Sequence, residues 1–305
     1  IIILRKLINV FLKLVRSKKR IKLEDIRKYD EIIIIGGSIF MEYNSFNYDN
    51  YINNTFRYKK PIYILGANFG PYNTDKYIDM HRNIIFKNVN DICFRDKRSY
   101  ELFKDLENVR YAPDIVFGLD TSNIDIVHEK QVVISVIKTY KDAKMICDQD
   151  IYNKKILELI SYFREKNYKI TLMSFSEKQG DEEVINKIYD SLENKDNIDK
   201  FFYRGNINEA LNVIGKSQIV IGTRFHANIL GFIMGNTVIP IAYSDKTINV
   251  LNDMGFKGKI FDIRYMDKFN VKDLTEKDIS YKIDVADEII NSQKHFEKLD
   301  KIFKE

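Results

Sequence analysis

At 305 residues the chain is longer than one hydrophobic core ordinarily supports, so two medium-sized domains are expected. With 45% apolar and 30% charged residues it can bury a substantial core, which excludes a disordered chain. Its 49 basic and 44 acidic residues leave a net charge of +5, a mild bias toward anionic ligands that gives no reason to expect nucleic acid as a partner.

The chain opens IIILRKLINVFLKLVRSKKR. Leu4, Leu7, Ile8, Phe11, Leu12 and Val15 recur at helical spacing, with Lys13, Arg16, Lys18, Lys19 and Arg20 on or beyond the polar side. Two readings stand: a domain helix packed on a sheet, or peripheral contact with an anionic membrane surface through residues 4–20. The pattern starts in mid-course, so an incomplete N-terminus is expected. No apolar run reaches the roughly 18 residues of a spanning helix.

From Glu31 onward, short β-branched runs alternate with helical patterns. EIIII (31–35), PIYIL (61–65) and DICF (91–94) are solid apolar runs, the mark of strands buried on both faces of a parallel sheet. Residues 74–88 and 97–106 read as helices. Periodicity is lost over 121–130, which sets a first domain over 1–122 and a second over 131–270. There, strands are predicted at 131–137, 168–175, 200–204, 218–222 and 237–243, and helices at 151–166, 181–193, 207–215, 225–235 and 246–254. Residues 272–305 read as charged helices, and the segment 271–305 is expected to cross back over the first domain. Two successive βα series predict an α/β chain of two doubly wound, Rossmann-like domains facing a cleft. Ligands in such sheets sit at the carboxyl ends of the strands.

In QIVIGTRFHANILGFIMG, Arg224 and His226 follow a buried strand and open a helix. The unpaired N–H groups and positive dipole at a helix start favour anions, and an arginine fork there suits carboxylate or phosphate. An imidazole, with an ordinary pKa of about 6.5, exchanges protons near neutrality. The plainer reading is a surface arginine and a helix-capping histidine; the position at a strand's carboxyl end favours function.

The stretch SQIVIGTRFHANILGFIMGNTVIPIAYSDK resembles the signature of the polysaccharide pyruvyl transferase family, an R-x-H pair followed by a helix, a strand and a Y-x-x-K element. IIIIGGSIF (32–40), PIYILGANFGPY (61–72), CFRDKRSYELF (93–103), APDIVFGL (112–119) and VVISVIK (132–138) agree in order, so the likeness spans about residues 30 to 250. The resemblance implies a glycosyltransferase-B-like architecture and transfer from phosphoenolpyruvate to two hydroxyls of one sugar, giving a pyruvate ketal and phosphate. The acceptor would be a unit of a cell-surface glycan or its lipid-linked precursor. Phosphoenolpyruvate is then a substrate, and no cofactor is implied.

On that resemblance His226 is the candidate general acid and base and Arg224 the carboxylate or phosphate clamp. Arg95 ends a strand and is expected either to close on the anion from across the cleft or to pair with Asp96 at the surface; Arg98 is expected to face solvent. Lys138 stands where the family frequently carries arginine, an exchange that keeps charge and loses the bidentate fork. Tyr243 and Lys246 lie just past a strand, where Lys246 could reach the donor phosphate or cap a turn. Gly36, Gly37, Ser38 and Asn68 are acceptor-side candidates, although a tight turn also explains the glycines. Asp114 stands where the family has an aspartate, to position a loop or contact the acceptor. Family members also begin with a strand and a glycine-rich loop that this sequence does not show before residue 1, so donor binding without turnover is one expectation.

Weaker features resolve more simply. The D-x-D of residues 148–150 precedes the helix predicted from 151, so Asp150 reads as its N-cap. His81, His128 and His295 share no ligand spacing, so no metal site is expected. Cys93 and Cys147 form no C-x-x-C pair and fit a reducing, cytoplasmic setting. Most of the 19 tyrosines and 20 phenylalanines are expected in the core. Two other functions remain open at this level: a nucleotide-sugar-dependent glycosyltransferase using the same cleft, and a non-catalytic glycan-binding or scaffold protein of polysaccharide assembly.

Overall fold

A computed structural model describes residues 28–42, 59–139 and 147–303. The basic amphipathic stretch at 4–20 lies outside them. The chain forms two compact units, one of Ile1–Gly118 with Ala286–Glu305, the other of Leu119–Val285. Each is built on an all-parallel sheet, as expected of runs of Ile, Val and Leu too continuous to leave one face in water.

In the first unit β1 (Ile32–Ile35), β2 (Ile62–Ala67), β3 (Asp91–Phe94) and β4 (Val109–Tyr111) lie in sequence order. β2 and β3 are buried throughout, whereas β1 is an edge strand among the described residues, with Ile33 exposed, and so departs from the two-faced burial its sequence suggests. The short β4 has no apolar run to announce it; Arg110 sits within it because its guanidinium grips both carboxylate oxygens of Asp91 at 2.7 Å and donates to the Lys294 carbonyl. Helices α1 (Asp75–Met80) and α2 (Lys97–Phe103) follow β2 and β3. After α1 a π turn (His81–Ile85) and a 3-10 turn (Phe86–Asn88) complete the expected 74–88 segment.

One face of this sheet is covered by phenylalanines. Phe103 meets Phe69 and Phe86 edge-on, each with ring centroids 4.8 Å apart, and a fully buried ring of this kind contributes about 1.5–3 kcal/mol. On the other face Tyr63, Leu65, Cys93 and Ala112 pack with Phe296 and Leu299 from the chain's last helices.

In the second unit the strands are β5 (Glu129–Ser135), β6 (Lys169–Ser174), β7 (Ile198–Phe202), β8 (Ser217–Gly222), β9 (Thr237–Ala242) and β10 (Phe261–Asp262), in the order β10-β9-β8-β5-β6-β7. The chain thus builds outward from β5 in one direction, then returns to β5's other side and builds the opposite way. The reversal between β5 and β8 opens a crevice at their carboxyl ends, the place where such sheets bind ligands. Helices α3 (Gln149–Glu165), α4 (Asp181–Asp190), α5 (Ile207–Lys216), α6 (Phe225–Ile233) and α7 (Asp245–Asp253) connect the strands. Asp148, rather than Asp150, caps α3 by accepting from the Asp150 N–H at 2.8 Å, which starts the helix two residues before the expected 151.

The C-terminal segment differs from its expectation. Residues 275–285 are turn and extended chain, because Thr275 and Asp278 hydrogen-bond each other's backbone while Leu274 and Ile279 reach into the second unit's core. Helices begin only at α8 (Ala286–Ser292) and α9 (Glu297–Ile302), and these belong to the first unit. Among the described residues no helix is long and apolar enough to cross a membrane.

Between α8 and α9, His295 is fully buried, with Nε2 2.8 Å from the Pro113 carbonyl. Burial pulls its imidazole down to about 4. Between that value and the ordinary pKa of about 6.5 the unfolded chain binds a proton that the folded chain does not, so stability falls as pH drops through this window. The wild type is expected to lose roughly 3 kcal/mol more than His295→Gln between pH 7 and pH 4, measured by urea unfolding at each pH.

Candidate functional site

In the first unit four of the singled-out residues converge just beyond the carboxyl ends of the strands. Asn68 follows β2, and its Oδ1 accepts from Ser38 Oγ at 2.9 Å and from Arg95 Nη2 at 2.7 Å. Arg95 Nη1 donates to Asp114 Oδ2 at 2.8 Å. Arg95 is 3% exposed and Asp114 is fully buried, so this is an interior ion pair. The surface pairing of Arg95 with Asp96 is thereby corrected: Asp96 instead caps α2, accepting from the Ser99 N–H and Oγ at 2.8 and 2.7 Å. Asp114 also accepts from the Val116 N–H at 3.0 Å and so fixes the turn after β4.

Gly36 is needed for close approach. A Cβ on Gly36 would lie 3.0 Å from the Ala67 Cβ, and Gly37 passes the Arg95 guanidinium, its carbonyl accepting from the Asn68 N–H. Arg98 is exposed, as expected.

The second unit gathers the other group. Arg224 caps the start of α6, directly after β8 and beside the β5–β8 reversal. Its Nε donates to Asp181 Oδ2 at 3.0 Å, its Nη2 to Asp181 Oδ1 and its Nη1 to Gln179 Oε1. Its own N–H reaches Ser135 Oγ, at the end of β5, at 3.2 Å. The Arg224 side chain is thus held by the turn after β6, and its backbone by the end of β5, before any ligand arrives.

His226 is exposed, and its ring stands edge-on to Phe225 at 5.2 Å. Lys246, in the first turn of α7, places Nζ over the same Phe225 ring at 4.4 Å, which brings a second cation to the Arg224–His226 turn. Tyr243 packs on the hydrophobic core. Lys138, past β5, lays its stem over Gly180 and pairs with Glu183 at 2.5 Å.

The turn itself rests on a packed polar base. A Cβ on Gly222 would overlap Asn228 Oδ1 at 2.1 Å, so only glycine lets α6 seat against the end of β8. Asn228 Nδ2 donates to the Gly222 carbonyl at 3.0 Å. Buried Tyr152 meets Thr223 Oγ1 at 2.8 Å, and burial raises its phenol pKa. Gln179, Asp181, Ser135, Tyr152 and Thr223 carry no motif that singles them out in the sequence. The one available signal was Gly180 ahead of the acidic run Asp181, Glu182, Glu183, at a strand-to-helix junction.

Neither group resembles a metal centre. Among the described residues no cluster of His, Cys, Asp or Glu could hold a metal ion. Cys93 and Cys147 are buried, and burial pushes their thiols up to about 12 and about 11, which makes both poor nucleophiles.

The family described as polysaccharide pyruvyl transferase matches residues 3–245. The amylovoran biosynthesis protein AmsJ of Erwinia amylovora is 22% identical over 264 residues, covering 79% of this chain and 63% of that protein. The chain therefore spans under two thirds of that relative's length. Among solved structures, a UDP-N-acetylglucosamine 2-epimerase described from Listeria monocytogenes superposes with a TM-score of 0.60 at 9% identity, covering 92% of this chain and 78% of that one. A glycosyltransferase from Rickettsia africae gives a TM-score of 0.51 at 14% identity, covering 96% and 79%. At these identities the likeness is one of fold, the glycosyltransferase-B-like fold built of two Rossmann-like domains.

Proposed function

Because the chain belongs to the polysaccharide pyruvyl transferase family, we propose that it moves a pyruvyl group from phosphoenolpyruvate to two hydroxyls of one sugar in a polysaccharide or its lipid-linked precursor. The observation that carries this reading is the placement of Arg224 and His226 at the carboxyl end of β8, beside the strand-order reversal.

The chemistry asks for a proton donor and for cations around an anionic donor. A proton adds to the methylene carbon of phosphoenolpyruvate, C2 becomes electrophilic, and one sugar hydroxyl adds there. The C2–O bond to phosphate then breaks, and the second hydroxyl closes the ketal. One hydroxyl proton replaces the proton given to the methylene, and the other leaves with the phosphate. His226 is suited to give the first proton and to take one from a hydroxyl. Arg224 suits the carboxylate or phosphate, with Lys246 and Lys138 as further cations. Ser38 and Asn68 suit sugar hydroxyls, in a cluster that Arg95 and Asp114 hold in shape.

Calorimetric titration of phosphoenolpyruvate into the wild type and Arg224→Ala tests the donor assignment, with a nucleoside diphosphate titrated alongside. Affinity for phosphoenolpyruvate is expected to fall roughly 10- to 100-fold in the variant, the effect of removing a charge-assisted contact. Binding of the nucleoside diphosphate alone would overturn the reading in favour of a nucleotide-sugar enzyme.

A further inference from the structure

We infer that Asp181 is a positioning residue of this site, fixing the Arg224 guanidinium in its anion-binding orientation; the inference rests on the function proposed above. Asp181 is fully buried and opens the ten-residue helix α4. Its Oδ2 accepts from the Phe175 and Ser176 N–H groups at 3.0 and 2.9 Å and from Arg224 Nε at 3.0 Å, while its Oδ1 accepts from Arg224 Nη2. The two backbone donors, just past the end of β6, prevent the carboxylate from turning. The bidentate pair then transmits that rigidity to the arginine.

Gln179 completes the anchor on Nη1, so three of the guanidinium's five N–H groups serve to hold it and two remain for a ligand. Gly180, between the two anchoring residues, has a φ of +79°, a left-handed turn that glycine adopts without strain. A Cβ there would also lie 2.6 Å from the Lys138 Cδ. One turn therefore seats both cations, but on different terms. The Arg224 and Asp181 side chains are 15% and 0% exposed, whereas those of Lys138 and Glu183 are 40% and 70% exposed. An exposed pair of the second kind holds only weakly. The site thus combines one immovable cation with one that can leave its partner for an incoming anion.

The test is Asp181→Asn, which keeps the volume, removes the charge and sets an amide N–H against the guanidinium. Two readouts separate the inference from the function it rests on. The first needs no substrate: the Arg224 Nε–H resonance, assigned by its loss in Arg224→Lys, is expected to be sharp and slowly exchanging in the wild type and broadened in Asp181→Asn. An equally sharp signal in the variant overturns the inference, whatever the substrate proves to be.

The second readout is kinetic. The KM for phosphoenolpyruvate is expected to rise roughly 10- to 100-fold with the acceptor KM unchanged, and Asp181→Asn is expected to add no further loss in an Arg224→Ala background. A lowered unfolding midpoint with an unchanged donor KM would reduce Asp181 to a structural role and overturn the inference. Wild-type protein that fails to bind phosphoenolpyruvate defeats the proposed function, and the resonance still decides the positioning. Should Asp181→Asn not fold, the wild type alone carries the test: a sharp, slowly exchanging Arg224 Nε–H supports the inference, and one broadened by rapid exchange overturns it.

Discussion

His226→Ala is expected to lower phosphate release from phosphoenolpyruvate about 100- to 10,000-fold, the usual worth of a positioned acid or base. Donor binding should change little in the same variant, because the neighbouring cations, Arg224 and Lys246, remain. The histidine is exposed at the first turn of a helix whose base is tightly packed, so its removal leaves no cavity and spares the fold. A stopped turnover with an intact unfolding midpoint and near-normal calorimetric affinity would assign His226 to the chemical step. Turnover at the wild-type rate would remove it from that role. Combined with the Arg224→Ala titration, the pair of variants distinguishes loss of binding from loss of chemistry.

Asp114→Ala is expected to have the largest effect on stability, about 3–5 kcal/mol. It leaves the Arg95 guanidinium, 3% exposed, without its interior carboxylate and deprives the Val116 N–H of an acceptor. Asp96→Ala is the informative companion. Its side chain caps α2, so its loss should cost about 1 kcal/mol. Urea unfolding followed by circular dichroism measures both. Equal losses in the two variants would mean that the Arg95–Asp114 pair contributes no more than a helix cap. A large gap would establish it as the polar centre of the first unit and explain why Asn68 and Ser38 hold their places beside it.

Much of this architecture is local in origin and could be read directly. The solid apolar runs at 61–65, 91–94 and 218–222 gave buried parallel strands, and helices at 207–216 and 225–233 follow from 3.6-residue periodicity. The Arg224–His226 turn was also legible, because a strand run, a Gly-Thr step and a helix pattern fix where the turn must fall. Elements without such a repeat were missed: β4 is three residues with an arginine at its centre, and 275–285 carries charge without a helical stripe.

What the sequence by itself determined is the succession of strands and helices and which residues stand at strand ends. What only the tertiary structure decided is their partners. Arg224 and Asp181 are 43 residues apart, and nothing in either stretch names the other. They meet because β6 and β8 flank β5 on opposite sides, which sets the turn after each against the end of the same central strand. Arg95 chose Asp114 over the adjacent Asp96 for a similar reason. The pairing of β3 with β4 carries the loop after β4 to the end of β3, while the start of α2 claims Asp96 for its own unpaired N–H groups. Sequence periodicity is set residue by residue along the chain, whereas a buried charge takes whichever partner the strand order brings within reach.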